Sequence, residues 1–294
     1  MSKFLTVMLC AIILASPCFS AGNKLFLQTQ VKGTSTDNAF LSPTKTSDFI
    51  TTAAMWIRQP VQSTQDSTLR LKADLKTYSW ADHSFDSYTY SIIGADYKKS
   101  LGMNRNLKLA YGYITNDSYD FDTPFHLYKG HELSATYEFP VAQKSSVELG
   151  CVLGTRDWDE AASGRNGTGQ EIRSSFTTKI REGDEASFIA RWRNENTDDP
   201  TEEFTRSTIG ISLTHYSKTK ALGPKVSFDY RYSFRNYSAT TREDVKNSFY
   251  LEADCPVGRD SDLTLGYSSG NNNSTFASRN YKEHSYLLSL LRKF

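Results

Sequence analysis

Val226-Ser227-Phe228-Asp229-Tyr230-Arg231-Tyr232-Ser233-Phe234 alternates apolar and polar residues without a break. A β-strand points successive side chains to opposite faces, so this segment has one apolar and one polar side. Leu69-Arg70-Leu71-Lys72-Ala73-Asp74-Leu75-Lys76, Asn106-Leu107-Lys108-Leu109-Ala110-Tyr111 and Glu132-Leu133-Ser134-Ala135-Thr136-Tyr137-Glu138-Phe139 repeat the pattern, and Glu171-Ile172-Arg173-Ser174-Ser175-Phe176 follows it less strictly. No stretch shows a comparable stripe at the helical period of about 3.6 residues. The chain reads as all-β.

Counting the runs predicts about fourteen strands, with twelve to sixteen allowed, each near the 9–11 residues that a tilted strand needs to cross a bilayer. They are expected over residues 24–33, 49–58, 68–79, 87–97, 106–115, 130–140, 146–156, 170–181, 186–194, 205–216, 225–235, 247–255, 262–268 and 284–294. The connections alternate in kind. Those after even strands are compact, as in Glu182-Gly183-Asp184-Glu185. Those after odd strands are longer and rich in Asn, Asp, Ser and Thr, as in residues 116–129, 157–169, 195–204 and 269–283. Short periplasmic turns and long external loops are what a transmembrane antiparallel up-and-down β-barrel predicts. Two even-to-odd turns also echo each other, Glu138-Phe139-Pro140-Val141 and Asp254-Cys255-Pro256-Val257, each placing Pro where a strand stops and a missing N–H is tolerated.

The N-terminus has a short basic region at Lys3, apolar residues 4–15, and the small-residue stretch Ser16-Pro17-Cys18-Phe19-Ser20-Ala21. This reads as a cleavable signal peptide over residues 1–20, with the cut after 20 or 21, and leaves a single barrel domain over 21–294. Pro17 stands where a lipoprotein signal wants a small residue before its cysteine, which argues against lipidation of Cys18. The apolar run is too short for a spanning helix, which takes about twenty residues. Mean hydropathy is -0.52, a value that fits a soluble secreted protein and an outer-membrane barrel alike, because only alternate strand residues face lipid. A formal net charge of +1 argues against nucleic acid as a partner. Of the four cysteines, Cys10 and Cys18 lie in the signal, while Cys151 and Cys255 carry lipid-facing parity on strands far apart and are expected to be free thiols. No metal-ligand spacing or haem motif appears, so no cofactor is expected.

The last strand reads Tyr286-Leu287-Leu288-Ser289-Leu290-Leu291-Arg292-Lys293-Phe294. Phe294 with Leu290, Leu288 and Tyr286 at alternate positions resembles the terminal signal of Gram-negative outer-membrane proteins. Arg292 departs from that pattern, where an apolar residue is usual. The resemblance implies an outer-membrane, porin-like barrel, with the barrel-assembly machinery as partner during insertion and membrane lipid and lipopolysaccharide around it. Two further patches, Thr36-Asp37-Asn38-Ala39-Phe40 with Ser47-Asp48-Phe49, and Gly266-Tyr267-Ser268-Ser269-Gly270-Asn271-Asn272-Asn273-Ser274 with residues 281–294, are similar to the barrels of exopolysaccharide-locus proteins and of surface-lipoprotein assembly modifiers. Those proteins often carry an N-terminal helical-repeat domain, of which this sequence has no sign.

If the apolar parity faces lipid, the other parity lines the lumen. It carries Arg70, Lys72, Lys76, Lys108, Arg173, Lys179, Arg191, Arg193, Arg231 and Arg235, against Asp74, Glu132, Glu138, Glu148, Asp229 and Glu252. Six of these cations fall on strands eight, nine and eleven, in a basic strip expected to break at strand ten, whose inward residues read Thr208, Gly210, Ser212 and Thr214. Two readings follow: a water-filled lumen that prefers anions, or a lumen neutralised by cross-strand ion pairs. Gly112, Gly150, Gly210 and Gly266 share the inward parity and are expected to leave room. His215 has the parity of Ile209, Ile211 and Leu213 and should face the interface. His284-Ser285 near the outer rim is the one arrangement that invites comparison with lipid-cleaving barrels, but no acidic orienter accompanies it, and no catalytic residue is assigned. The leading function is a channel for small hydrophilic, acidic solutes. The alternatives are an accessory barrel for surface-polysaccharide export or lipoprotein assembly, and a structural or adhesive barrel.

Overall fold

The computed structural model describes residues 25–38, 43–44, 46–82, 88–118, 126–158, 164–217 and 223–294. The expected signal peptide lies outside them. The described chain forms fourteen strands: β1 (Phe26–Thr36), β2 (Asp48–Ser63), β3 (Ser67–Trp80), β4 (Tyr88–Ser100), β5 (Asn106–Ser118), β6 (His126–Ala142), β7 (Ser145–Trp158), β8 (Gly167–Arg181), β9 (Asp184–Thr197), β10 (Phe204–Tyr216), β11 (Lys225–Tyr237), β12 (Glu243–Pro256), β13 (Ser261–Ser274) and β14 (Tyr281–Lys293). Each pairs antiparallel with its neighbours in sequence, and β1 pairs with β14 to close a barrel. Closure removes every sheet edge, which in lipid would leave backbone groups without partners.

The outer face carries the apolar parity. Leu71, Ile93, Leu133, Ile172, Ile209 and Leu265 are all more than half exposed there. Such a belt would be an aggregation surface in water and is satisfied by hydrocarbon. Cys151 and Cys255 share this face, and both thiols are free.

The strands outrun their sequence-predicted spans. β13 continues to Ser274, so the external loop expected over 269–283 contracts to 275–280, with one 3-10 turn at Ala277–Arg279. β12 starts at Glu243 rather than 247. The added residues, Glu243-Asp244-Val245-Lys246 and Ser269-Gly270-Asn271-Asn272-Asn273-Ser274, are almost all polar, so alternation gives no mark there.

The even-to-odd turns are tight. Glu182-Gly183 joins β8 to β9, with Gly183 at φ +83°. A Cβ there would stand 2.6 Å from the Tyr216 carbonyl oxygen, so this turn requires glycine on both conformational and steric grounds.

At the seam, the Phe294 N–H donates to the Leu27 carbonyl at 2.9 Å. Gln30 Nε2 donates to Ser289 Oγ at 2.8 Å, and the His284 N–H to Asp37 Oδ1 at 2.6 Å. Phe294, Tyr286, Leu288 and Leu290 are exposed on the outer surface.

Candidate functional site in the lumen

Residues directly opposite on paired strands share a face, so the register assigns the lumen lining. Arg70, Lys72 and Lys76 on β3, Lys108 on β5, Arg173 and Lys179 on β8, Arg191 and Arg193 on β9, and Arg231 and Arg235 on β11 all carry the inward parity. Lys179 faces Glu185 beside the tight turn between β8 and β9, where it is exposed.

On β8 to β12 the register sets charges side by side. One row runs Glu171, Arg193, Arg206, Arg235, Asp244, and the next runs Arg173, Arg191, Thr208, Ser233, Lys246. Arg231 follows one row further in, opposite Gly210. With strands about 4.8 Å apart, the first row spans about 19 Å of wall. The strip is therefore not broken at β10 as the sequence suggested. Arg206 continues it. It sits in Thr205-Arg206-Ser207-Thr208, a wholly polar stretch where alternation is silent; only its parity with Thr208 and Gly210 could have placed it.

The two sides of the lumen differ in their pairing. On β2 to β7, Arg58 pairs with Asp74, Arg70 with Asp96 at 2.6 Å, and Lys108 with Glu138 and Glu148 at 3.6 and 3.5 Å. Lys76 stands 5.9 Å over the Trp56 ring. On the other side Arg193 meets Glu195 closely and Glu171 at 4.0 Å, and Arg235 donates to the Tyr237 hydroxyl at 3.0 Å. Among the described residues, no carboxylate comes within ion-pair distance of Arg173, Arg191, Arg206 or Arg231. Cross-strand ion pairs thus characterise the β2 to β7 wall, while four guanidiniums of β8 to β11 lack such partners among the described residues.

The inward glycines do not leave open space; they seat long side chains. A Cβ on Gly150 would stand 2.7 Å from Arg173 Nε, one on Gly210 3.2 Å from Arg231 Cγ, and one on Gly112 2.8 Å from Ile92 and 3.7 Å from Lys72 Nζ. From its seat Arg173 donates across two strands to Thr136 Oγ1 at 2.9 Å. Leu287 fills the space beside Gly266.

Aromatic residues collect on the inner side of the outer mouth. Tyr78 and Tyr88 stack at 4.6 Å, Tyr128 and Trp158 lie 4.8 Å apart, and Phe204 meets Tyr237 at 5.8 Å. Arginines cover them: Arg156 is 5.8 Å above Tyr128, Arg235 4.5 Å above Phe204 and Arg242 4.1 Å above Tyr237. Arg156 also reaches Glu195 at 3.0 Å, which joins the aromatic patch to the arginine rows.

His284 and Ser285 carry opposite parities. His284 bonds the Tyr267 hydroxyl at 2.8 Å, while Ser285 is buried facing inward, so the two cannot act as a pair. His215 bonds Asp184 at 2.5 Å on the outer face, as its parity indicated.

No family model matches the chain, and no curated protein is similar to it in sequence. Solved structures are similar in fold. A bacterial polysaccharide outer membrane secretin aligns with a TM-score of 0.54 at 8% identity, over 91% of this chain and 97% of that one. OmpT, an outer membrane protein of Vibrio cholerae, aligns with a TM-score of 0.52 at 9% identity, over 93% and 100%. OprD of Pseudomonas aeruginosa aligns with a TM-score of 0.45 at 8% identity, over 92% and 95%. With its closed antiparallel topology and exposed apolar belt, the chain has the fold of an outer-membrane β-barrel, built from fourteen strands.

Proposed function

We propose that the barrel is a water-filled channel for small hydrophilic anions. The observation that carries this reading is the set of four inward guanidiniums, Arg173, Arg191, Arg206 and Arg231, with no carboxylate in pairing distance among the described residues. Taking an unpaired charge out of water costs several kcal/mol, so this wall is compatible with a folded barrel only if water or a passing anion reaches it. The opposite wall is ion-paired at Arg58, Arg70 and Lys108, which leaves Lys72 and Lys76 as its contribution to the field. An anion entering the lumen therefore meets a one-sided positive surface. Pore-lining roles for the other inward cations follow the same logic, graded by their pairing: Lys72 and Lys76 contribute, while Arg70 and Lys108 are largely offset.

The test is the reversal potential of the refolded protein in planar bilayers under a salt gradient. The expected result is anion over cation permeability at low salt. It should weaken as the Debye length falls to about 3 Å near 1 M, and it should be reduced by replacing Arg191, Arg206 and Arg231 with Gln. Cation preference in the unmodified barrel would overturn the proposal.

A further inference from the structure

The geometry points to a binding site for acidic oligosaccharides at the outer mouth, built on the β4 to β7 wall. This rests on the reading that the lumen admits anions and names the class of anion. Tyr90, Asn116, Tyr128 and Trp158 occupy one continuous row across β4, β5, β6 and β7. All four carry inward parity, and the three aromatic ones lie at most two residues from the outer ends of their strands. Three strand steps make the row about 14 Å long, longer than one small ring and suited to a ligand of several rings.

Each member supplies a different part of saccharide chemistry. The axial C–H bonds of a pyranose make one face of the ring apolar, and that face packs on tyrosine and tryptophan. The Asn116 side-chain oxygen, in the same row, has no hydrogen-bond partner among the described residues, and a rotation of the side chain toward the lumen lets it accept from a sugar hydroxyl. Arg156 and Arg165 lie 5.8 Å from the Tyr128 ring and 5.7 Å from the Trp158 ring; they meet Glu195 at 3.0 Å and Glu202 at 3.9 Å, yet both are more than a third exposed and keep further N–H donors for a carboxylate carried on a sugar. A short dicarboxylate satisfies the arginines and leaves the aromatic row unused. A neutral sugar does the reverse. A uronate oligomer uses both.

The experiment measures binding without requiring conduction. Isothermal titration calorimetry of the refolded barrel in detergent reads occupancy without relying on any residue that the variants change. The probes are trigalacturonate, maltotriose, and propane-1,2,3-tricarboxylate as a match for charge without sugar rings. Trigalacturonate should bind at least about tenfold more tightly than either control, and Tyr128→Ala with Trp158→Ala should remove about that factor. Tyr128→Phe with Trp158→Phe should restore most of it, which separates loss of stacking from misfolding. Equal affinity for trigalacturonate and the tricarboxylate, or binding untouched by the double alanine variant, would overturn the site. Reversal potentials of the same variants keep the two proposals apart. Lost binding with anion preference intact removes the saccharide site alone, and binding without anion preference removes the channel reading alone.

Discussion

Arg173 lies in the volume that a side chain at position 150 would occupy, with its Nε 2.7 Å from where a Gly150 Cβ would stand. The guanidinium is thus held against the wall and tied to Thr136 rather than extended into the passage. Gly150→Val should expel it. We expect a stability loss of about 1–3 kcal/mol from overpacking, together with a lower single-channel conductance as the arginine swings inward. A variant with unchanged conductance would show that Arg173 already moves freely.

Pairing makes a distinction that counting charges misses. Arg70→Gln with Asp96→Asn removes a pair at 2.6 Å and leaves the lumen charge unchanged, so its reversal potential should match the unmodified protein. Its stability cost should stay within about 1 kcal/mol, because Arg70 is 42% exposed and solvent screens the pair. Arg206→Gln alone should shift the reversal potential toward cations. Equal shifts in both variants would mean that the paired wall also shapes the field.

The two faces should respond unequally to one new charge. Leu149→Arg puts a guanidinium on the exposed outer surface, where a charge near the bilayer midplane costs about 2–4 kcal/mol. Ser227, opposite inward Thr214 and Glu252, can carry arginine in water at little cost. Urea titrations of barrels refolded into vesicles compare them, and equal destabilisation would contradict a wet lumen.

The terminal residue can be tested in cells. Deleting Phe294 removes the N–H bond to Leu27 and the aromatic side chain at the lipid-facing end. Outer-membrane yield and heat-modifiable migration should both fall. Normal values for both would leave Tyr286, Leu288 and Leu290 to carry any assembly signal without it.

Where lipid covers one face and water the other, the sequence was legible. The alternation at Val226 to Phe234 gave β11, and the same logic assigned the parity of every basic residue named from the sequence. It failed where both faces are wet, at residues 269–274 and around Arg206, because polar residues then follow one another without a period. Ion pairing was not legible either. Whether Arg70 meets Asp96, or Arg191 meets no carboxylate, depends on register across strands, and a one-residue slip would exchange the faces. The seating of Arg173 over Gly150 and the row from Tyr90 to Trp158 likewise exist only once neighbouring strands are aligned.

The seam between β1 and β14 imposes an order in time. All other pairings join neighbours in sequence and can form hairpin by hairpin, but Gln30 meets Ser289 across 259 residues. Closing a flexible loop of that size costs about 5 kcal/mol in chain entropy, against far less for a tight turn. A chain delivered N-terminus first thus presents the unpaired edge of β1 throughout its delivery, and an exposed edge is a template for mispairing. Until residues 281–294 arrive, no other described strand pairs with that edge, so the last strand to be delivered is the one that ends the exposure.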